Sequence, residues 1–411
     1  MVISQYFYPE QFRINDICKE WVNRGYQVTV ITGIPNYPVG KFYKGYGIFK
    51  KRRDCHDGVS IVRLPLIPRG KNVMMLTLNY LSFVVSGFFW NTFNKIKADC
   101  VFVFEVSPMT QALPGIWYSR KRRVPCYLYV QDLWPENVEF ITGIANKKVL
   151  GLIGRMVDYI YEGCTRVFTA SNSFVQSIHQ RGISLEKLEY WPQYAEDFYK
   201  PFVEKEGINS DELPFVEEEC FRVVFTGNLG QAQGLDILPK AAVILKEKDM
   251  LEKIRFIIIG DGRYKDTLHK MVKEANVDKM FHFVPKQPGA KIPRLLATGD
   301  VAFLCLADDP LFAMTIPAKL QSYLACGMPI LASASGETAR IIEESRAGVV
   351  CQAGDARDLA EKIILFSALE PVVLKQMGSY ARQYYEKNFD KEYLLKRMDQ
   401  YLMKNEGESH V

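Results

Sequence analysis

The sequence predicts an α/β protein of two doubly wound, parallel-sheet domains joined by a linker. Short apolar, β-rich runs alternate with helical stretches along both halves of the chain. The alternation pauses once, in a mixed and acidic stretch over residues 196–219 that contains Pro201, Gly207 and Pro214. A length of 411 residues accommodates two such domains.

Before the pause, strands are expected at residues 1–5, 27–32, 60–64, 100–104, 126–130 and 166–170, with helices such as 15–23 and 149–161 between them. After it, strands are expected at 222–226, 255–259, 281–284, 301–306, 329–332 and 348–351. Two helical stretches near 370–387 and 391–404 and a polar tail close the chain. The expected division is a first domain at 1–195, a linker at 196–219, a second domain at 220–385, and a C-terminal helix and tail at 386–411 that cross back to the first domain. Doubly wound sheets bind ligands outside the carboxyl ends of their strands, so a cleft between the two domains is expected.

Composition narrows the function classes. Nine scattered cysteines form no CxxC pair and no zinc-ligand spacing, which favours buried free thiols in a reducing compartment. The start, Met1-Val2-Ile3-Ser4, lacks a basic region and a cleavage site, so no signal peptide is expected. Residues 1–200 hold 25 Lys and Arg against 16 Asp and Glu, a balance of +9, which leaves −4 for the remainder. A basic first half suits an anionic surface. No nucleic-acid motif accompanies it, so no nucleic-acid partner is expected. One uncharged run at residues 73–90, flanked by Arg69, Lys71, Lys95 and Lys97, allows two readings. It is a buried helix under the first sheet, or a helix dipped into the interface of an anionic membrane. A spanning helix fits least, because α/β sequence continues on both sides.

The second half carries three glycine-marked turns. Gly227-Asn228-Leu229-Gly230-Gln231 follows a strand, and Gly234 closes the loop. Glycines let backbone N–H groups approach a phosphate, although this spacing is not the dinucleotide GxGxxG. Gly260-Asp261-Gly262-Arg263 ends the next strand, where Arg263 suits a diphosphate or the loop is an ordinary turn. Pro317 then opens a helix with Lys319 in its first turns. A cation there opposes the helix dipole, which a neighbouring anion would explain. Gly336-Glu337-Thr338 precedes the next helix and could offer N–H donors and a carboxylate to a sugar.

Taken in order, GNLGQAQG (227–234), GDGR (260–263), PAKLQSYLACGMPI (317–330) and GET (336–338) resemble the donor half of family 4 retaining glycosyltransferases of the GT-B fold. QYFYPE (5–10), GIPNYP (33–38), QDLWPE (131–136) and WPQYAE (191–196) resemble the first half of the same group, in the branch similar to bacterial O-antigen and capsule fucosamine transferases. Two departures stand out: Met314 and Ser322 replace a pair of glutamates that many members carry, and Asn228 and Gln231 stand where many place Arg and Lys. Ser322 would then give the nucleotide ribose only a hydroxyl, and the diphosphate would rely on Arg263 and Lys319.

The resemblance implies two Rossmann-like domains facing across a cleft. It also implies retaining transfer of a hexosyl or N-acetylhexosaminyl group from a UDP-sugar to a lipid-linked saccharide, by a protein peripheral on the cytoplasmic face of a bacterial membrane. No cofactor or metal is expected: Asp308-Asp309 and the acids at 54 and 57 lack DxD spacing. Arg263, Lys319 and helix N-termini would stabilise the leaving diphosphate. Asp132 is the general-base or acceptor-orienting candidate, or else a helix N-cap ahead of Pro135. Glu10, Arg13, Asn36, Tyr37, Trp134 and Glu136 are candidates for the acceptor side. A nucleotide-sugar epimerase and an inactive membrane scaffold are the rival readings.

Overall fold

The computed structural model describes residues 1–70, 72–143, 146–202 and 219–403. Most of the expected linker, the Lys71 flank and the polar tail therefore lie outside the described residues. The chain divides into two units, Met1–Trp191 with the chain end from Asp399, and Pro192–Met398.

The first unit holds β1 (Val2–Ile3), α1 (Arg13–Asn23), β2 (Thr29–Gly33), β3 (Arg53–His56), β4 (Val59–Leu64), α2 (Val73–Phe93), β5 (Val101–Glu105), α3 (Leu113–Arg122), β6 (Cys126–Val130), α4 (Glu136–Thr142), α5 (Lys147–Gly163), β7 (Arg166–Thr169), α6 (Asn172–Gln180) and β8 (Leu188–Tyr190). Its sheet runs β3-β4-β2-β1-β5-β6-β7-β8, parallel except where β3 pairs antiparallel with β4. β5 and β6 are wholly buried runs, VFVFE and CYLYV, as a sheet covered on both faces requires. β3 and β8 were not expected. β3 reads RDCH and alternates exposed with half-buried, so no apolar run announces it; it is an edge strand fixed by its register with β4. β8 is only three residues long.

The second unit holds β9 (Phe221–Asn228), α7 (Ile237–Glu247), β10 (Ile254–Asp261), α8 (Lys265–Glu274), β11 (Phe281–Val284), α9 (Ile292–Leu296), β12 (Val301–Cys305), α10 (Pro310–Ala313), α11 (Ala318–Ala325), β13 (Ile330–Ser333), α12 (Gly336–Ser345), β14 (Gly348–Cys351), α13 (Ala356–Ser367), α14 (Pro371–Asn388) and α15 (Lys391–Leu402). The parallel order β11-β10-β9-β12-β13-β14 reverses direction between β9 and β12, which is where a doubly wound sheet opens a ligand crevice. One face packs Phe225, Phe256, Ile258 and Phe303 against Leu238, Ala242 and Ile363.

The expected return to the first unit at residue 386 comes later. Tyr385 Oη receives the Ala195 N–H at 3.2 Å and Lys391 pairs with Asp197 at 2.8 Å, so α14 and most of α15 belong with the second unit. From Asp399 the chain joins the first unit, where that carboxylate holds Arg24 at 2.7 Å and Tyr26 Oη at 3.0 Å.

Candidate active site

In the second unit, the loops after β9 and β10 are stitched together. Leu229 N donates to Asp261 O and Tyr264 N to Leu229 O, both at 2.9 Å. Gly227 has φ +137° and is exposed with Asn228, and a Cβ on Gly262 would run into the Leu229 backbone. The loop does not lead straight into a helix. Gly230 opens a short 3₁₀ turn at Gln231–Gln233, Gly234 turns left-handed at φ +60°, and α7 starts only at Ile237. Asp261 and Arg263 are exposed; the Asp261 carboxylate takes the Gly262 N–H at 2.9 Å.

Lys319 lies in the first turn of α11, after Pro317. Its Nζ donates to Gln233 Oε1 and stands 4.0 Å from the centroid of the Phe225 ring. A Cβ on Gly227 would meet this Nζ at 3.4 Å, so the glycine makes room for it. Burial pulls the Lys319 ammonium down to about 7. Gln233 carried no signal of its own in the sequence.

Three expected donor contacts are corrected. The Ser322 hydroxyl donates to Ala318 O at 3.1 Å within its own helix, in the manner of a buried helical serine, so it does not present a donor to a ligand. Thr338 is fully buried and its Oγ1 donates to Thr315 O at 3.1 Å. Glu337 is 5 % exposed and pairs with Arg340 at 2.6 Å, because an acid at N2 of α12 falls one turn from that arginine. Gly336 remains exposed, with φ +62° and its back to the Ala313 carbonyl.

In the first unit, the loops after β1, β2, β5 and β6 form one rim, and each contains a cis X–Pro bond, at Pro9, Pro38, Pro108 and Pro135. Glu10 and Asn36, expected to line the acceptor side, are buried scaffolding instead. Glu10 Oε1 accepts the N–H groups of Asn36 (2.7 Å) and Tyr37 (2.6 Å), and burial pushes its carboxyl up to about 7. Asn36 donates to Ile34 O at 2.9 Å and accepts the Arg69 N–H at 2.9 Å. Tyr37 is half-buried, with its ring against Tyr6 (5.5 Å) and Phe12 (5.3 Å). Arg13 begins α1, and Glu136 begins α4 with one buried oxygen, Oε2, lacking a partner. Trp134 is buried, its Nε1 donating to Ser107 Oγ at 3.1 Å.

Asp132 is not an N-cap: α4 starts at Glu136, and its N-cap is Pro135 with no side-chain bond. The Asp132 carboxylate instead accepts Ser107 N–H at 2.6 Å, while its own N–H donates to Glu105 Oε2 at 3.3 Å. Glu105 is fully buried and its Oε1 has no partner. Burial first, and then the Asp132 charge, hold the Glu105 carboxyl well above the usual carboxylate range. Sequence reasoning missed Glu105 and Ser107, and it read Arg69 only as a basic flank of the run at 73–90. The one available signal was an acid ending the apolar strand VFVFE, a residue type rarely buried without a reason.

Residues 11–193 match the family described as Glycosyl transferase 4-like domain, and residues 210–384 match that described as Glycosyl transferases group 1. The chain belongs to the family 4-type glycosyltransferases of the GT-B fold. It is 25 % identical over 390 residues to WcaI of Escherichia coli K12, a glycosyl transferase named for colanic acid biosynthesis, covering 92 % of each chain. Sucrose-phosphate synthase from Thermosynechococcus elongatus superposes with a TM-score of 0.72 at 16 % identity, over 95 % of this chain and 92 % of that one. Anabaena HepE, solved in complex with UDP, gives 0.68 at 15 % identity over 98 % of each.

Proposed function

We propose that this glycosyltransferase moves a sugar, with retention, from a UDP-linked donor to a lipid-linked saccharide acceptor in bacterial surface polysaccharide synthesis, at the cytoplasmic face of the membrane. The observation that carries the donor reading is Lys319. It is a half-buried cation facing Gln233, Gly227 and an aromatic ring at the glycine loop after β9, where a diphosphate would supply the missing negative charge. As the bond from the sugar to the diphosphate breaks, negative charge grows on the leaving oxygens, and Lys319 with Arg263 would stabilise it without a metal. Asp132, held by Ser107, would orient the acceptor hydroxyl and take its proton. HepE bound to UDP and WcaI of colanic acid synthesis support the donor and the pathway class. For the membrane, the outward face of α2 is apolar: Met74, Leu81, Val85, Phe88 and Phe89 are each more than half exposed.

The purified protein, incubated with UDP-, GDP- and dTDP-sugars with and without a polyprenyl-diphosphate saccharide, tests this reading. The expected result is release of UDP only when the acceptor is present. An epimerised sugar nucleotide formed without acceptor would identify the other enzyme class, and an absence of turnover with every pair would overturn the proposal.

A further inference from the structure

Three half-buried or buried arginines of the first unit each meet a carboxylate: Arg24 with Asp399 at 2.7 Å, Arg63 with Asp54 at 3.3 Å and Arg181 with Asp158 at 2.7 Å. Arg69, Arg52 and Arg166 are also half-buried and meet no acid among the described residues, but Arg52 and Arg166 give guanidinium donors to backbone carbonyls and the Arg69 guanidinium gives none. Its guanidinium lies 5.2 Å above the Tyr37 ring centroid, and Nη1 donates to Tyr6 Oη at 3.3 Å. Stacking and one phenol leave most of the five N–H donors of the fork unused, in a geometry that matches a phosphate bidentately. The residue is also held in place. Its backbone N–H is fixed by Asn36, and Asn36 and Tyr37 are fixed in turn by Glu10. A cation held beside rings and desolvated without a counter-charge is stabilised when an anion arrives.

We infer that Arg69 binds the phosphate group of an anionic lipid acceptor, between the chain that lies on α2 and the sugar that reaches Asp132. The inference rests on the lipid-linked acceptor proposed above. Arg69 stands three residues before Asn72, the N-cap of α2, and is bordered by exposed Ile67, Val73 and Met74. On the inner side, Tyr80 of α2 feels both Arg69 and Asp132: burial pushes its phenol up to about 12, with Arg69 opposing and Asp132 and Glu105 adding to the rise. Arg69 thus joins the start of the apolar helix to the rim, through the bond from its N–H to Asn36 in the loop after β2. A lipid-linked saccharide likewise carries its phosphate at the end of a hydrocarbon chain.

The probe is farnesyl diphosphate, titrated into the full-length protein with the donor site saturated by UDP. Farnesol reports the chain without phosphate. Arg69→Ala should weaken farnesyl diphosphate binding roughly tenfold or more and leave farnesol and UDP binding unchanged. Arg69→Lys should retain part of the affinity. Arg69→Gln, which keeps a donor for Tyr6, should lose as much as the alanine. All three keep the backbone bond to Asn36, and circular dichroism melts should superpose. Equal farnesyl diphosphate affinity in Arg69→Ala and the wild type would overturn the inference, as would a wild type that ignores the probe. Phosphatidylglycerol vesicles should bind Arg69→Ala no more than severalfold more weakly than wild type, the share of one basic residue at the surface; if the variant loses vesicle binding altogether, the ligand is the bulk lipid headgroup and the acceptor assignment fails. Sugar transfer that survives in Arg69→Ala with an unchanged KM for the acceptor would sink this inference alone, whereas absence of transfer to any lipid acceptor sinks the reading beneath it.

Discussion

Lys319 and Glu105 are ionisable groups that burial pushes in opposite directions, and each gives a measurable expectation. The Lys319 ammonium sits at about 7 in the unliganded protein because burial penalises its charge. An arriving diphosphate would restore the proton, so UDP binding at pH 8 should take up protons. Calorimetry in two buffers of different ionisation enthalpy reads this directly, and Lys319→Met should abolish it; uptake that persists in the variant would remove Lys319 from the diphosphate site. Turnover should fall about 10²- to 10³-fold in Lys319→Met and strongly in Arg263→Ala, the scale of losing one charge-stabilising donor. Glu105 has a raised folded-state pKa. Below the unfolded carboxylate pKa of about 4.3 both states hold the proton, and its contribution is intact. As pH rises toward the folded value the unfolded chain ionises first and stability is lost. Glu105→Gln, which cannot ionise, should therefore gain in Tm relative to wild type between pH 5 and pH 8. A constant difference across that range would mean Glu105 is charged in the native state.

α2 was only half readable as an element. The run at 73–90 gave its presence, but periodicity could not choose between core and interface, because apolar residues fall on every side of the helix. The structure buries a narrow stripe, Leu76, Asn79, Phe83, Gly87 and Asn91, at helical spacing. Two of those five are asparagines. Gln5 Nε2 reaches Asn79 at 2.8 Å, and Gly87 lets the helix approach Pro114 of α3. The helix thus buries two asparagines while leaving eight large apolar side chains, from Val73 to Phe93, exposed, which a soluble surface helix does not do. Trp90 stacks on Tyr118 and Phe88 edges onto Trp117, so both contribute packing. The test is better made at Leu81, Val85 and Phe89, which are 52 %, 54 % and 56 % exposed. Serine at all three should leave the thermal midpoint within a few degrees and reduce binding to anionic vesicles severalfold. A variant that unfolds while wild type ignores vesicles would return α2 to the core.

Across the whole molecule, charge is segregated in sequence. The +9 balance of residues 1–200 predicts vesicle binding that weakens steadily with salt, since surface attraction is screened within about 10 Å at 0.1 M ionic strength. Co-sedimentation with phosphatidylglycerol and with phosphatidylcholine vesicles over a salt series checks this. Equal binding to both lipids at every salt would leave apolar burial as the sole force.

The sequence by itself determined the alternation of strands and helices, because wholly buried parallel strands must be continuous apolar runs; all twelve expected strands are present. It also determined the glycine loops and the Pro317–Lys319 helix start, because turns and helix starts are local in the chain. Tertiary structure decided which polar side chains remain available. Glu10, Asn36, Ser322 and Thr338 spend their hydrogen bonds on backbone groups, and Glu337 is held by Arg340. Glu105 and Asp132 meet only because β5 and β6 pair in register, Glu105 opposite Val130, across a separation that periodicity cannot read. Arg69 gains its meaning from its surroundings, a tyrosine ring and one phenol with no acid among the described residues, and such surroundings exist only in three dimensions.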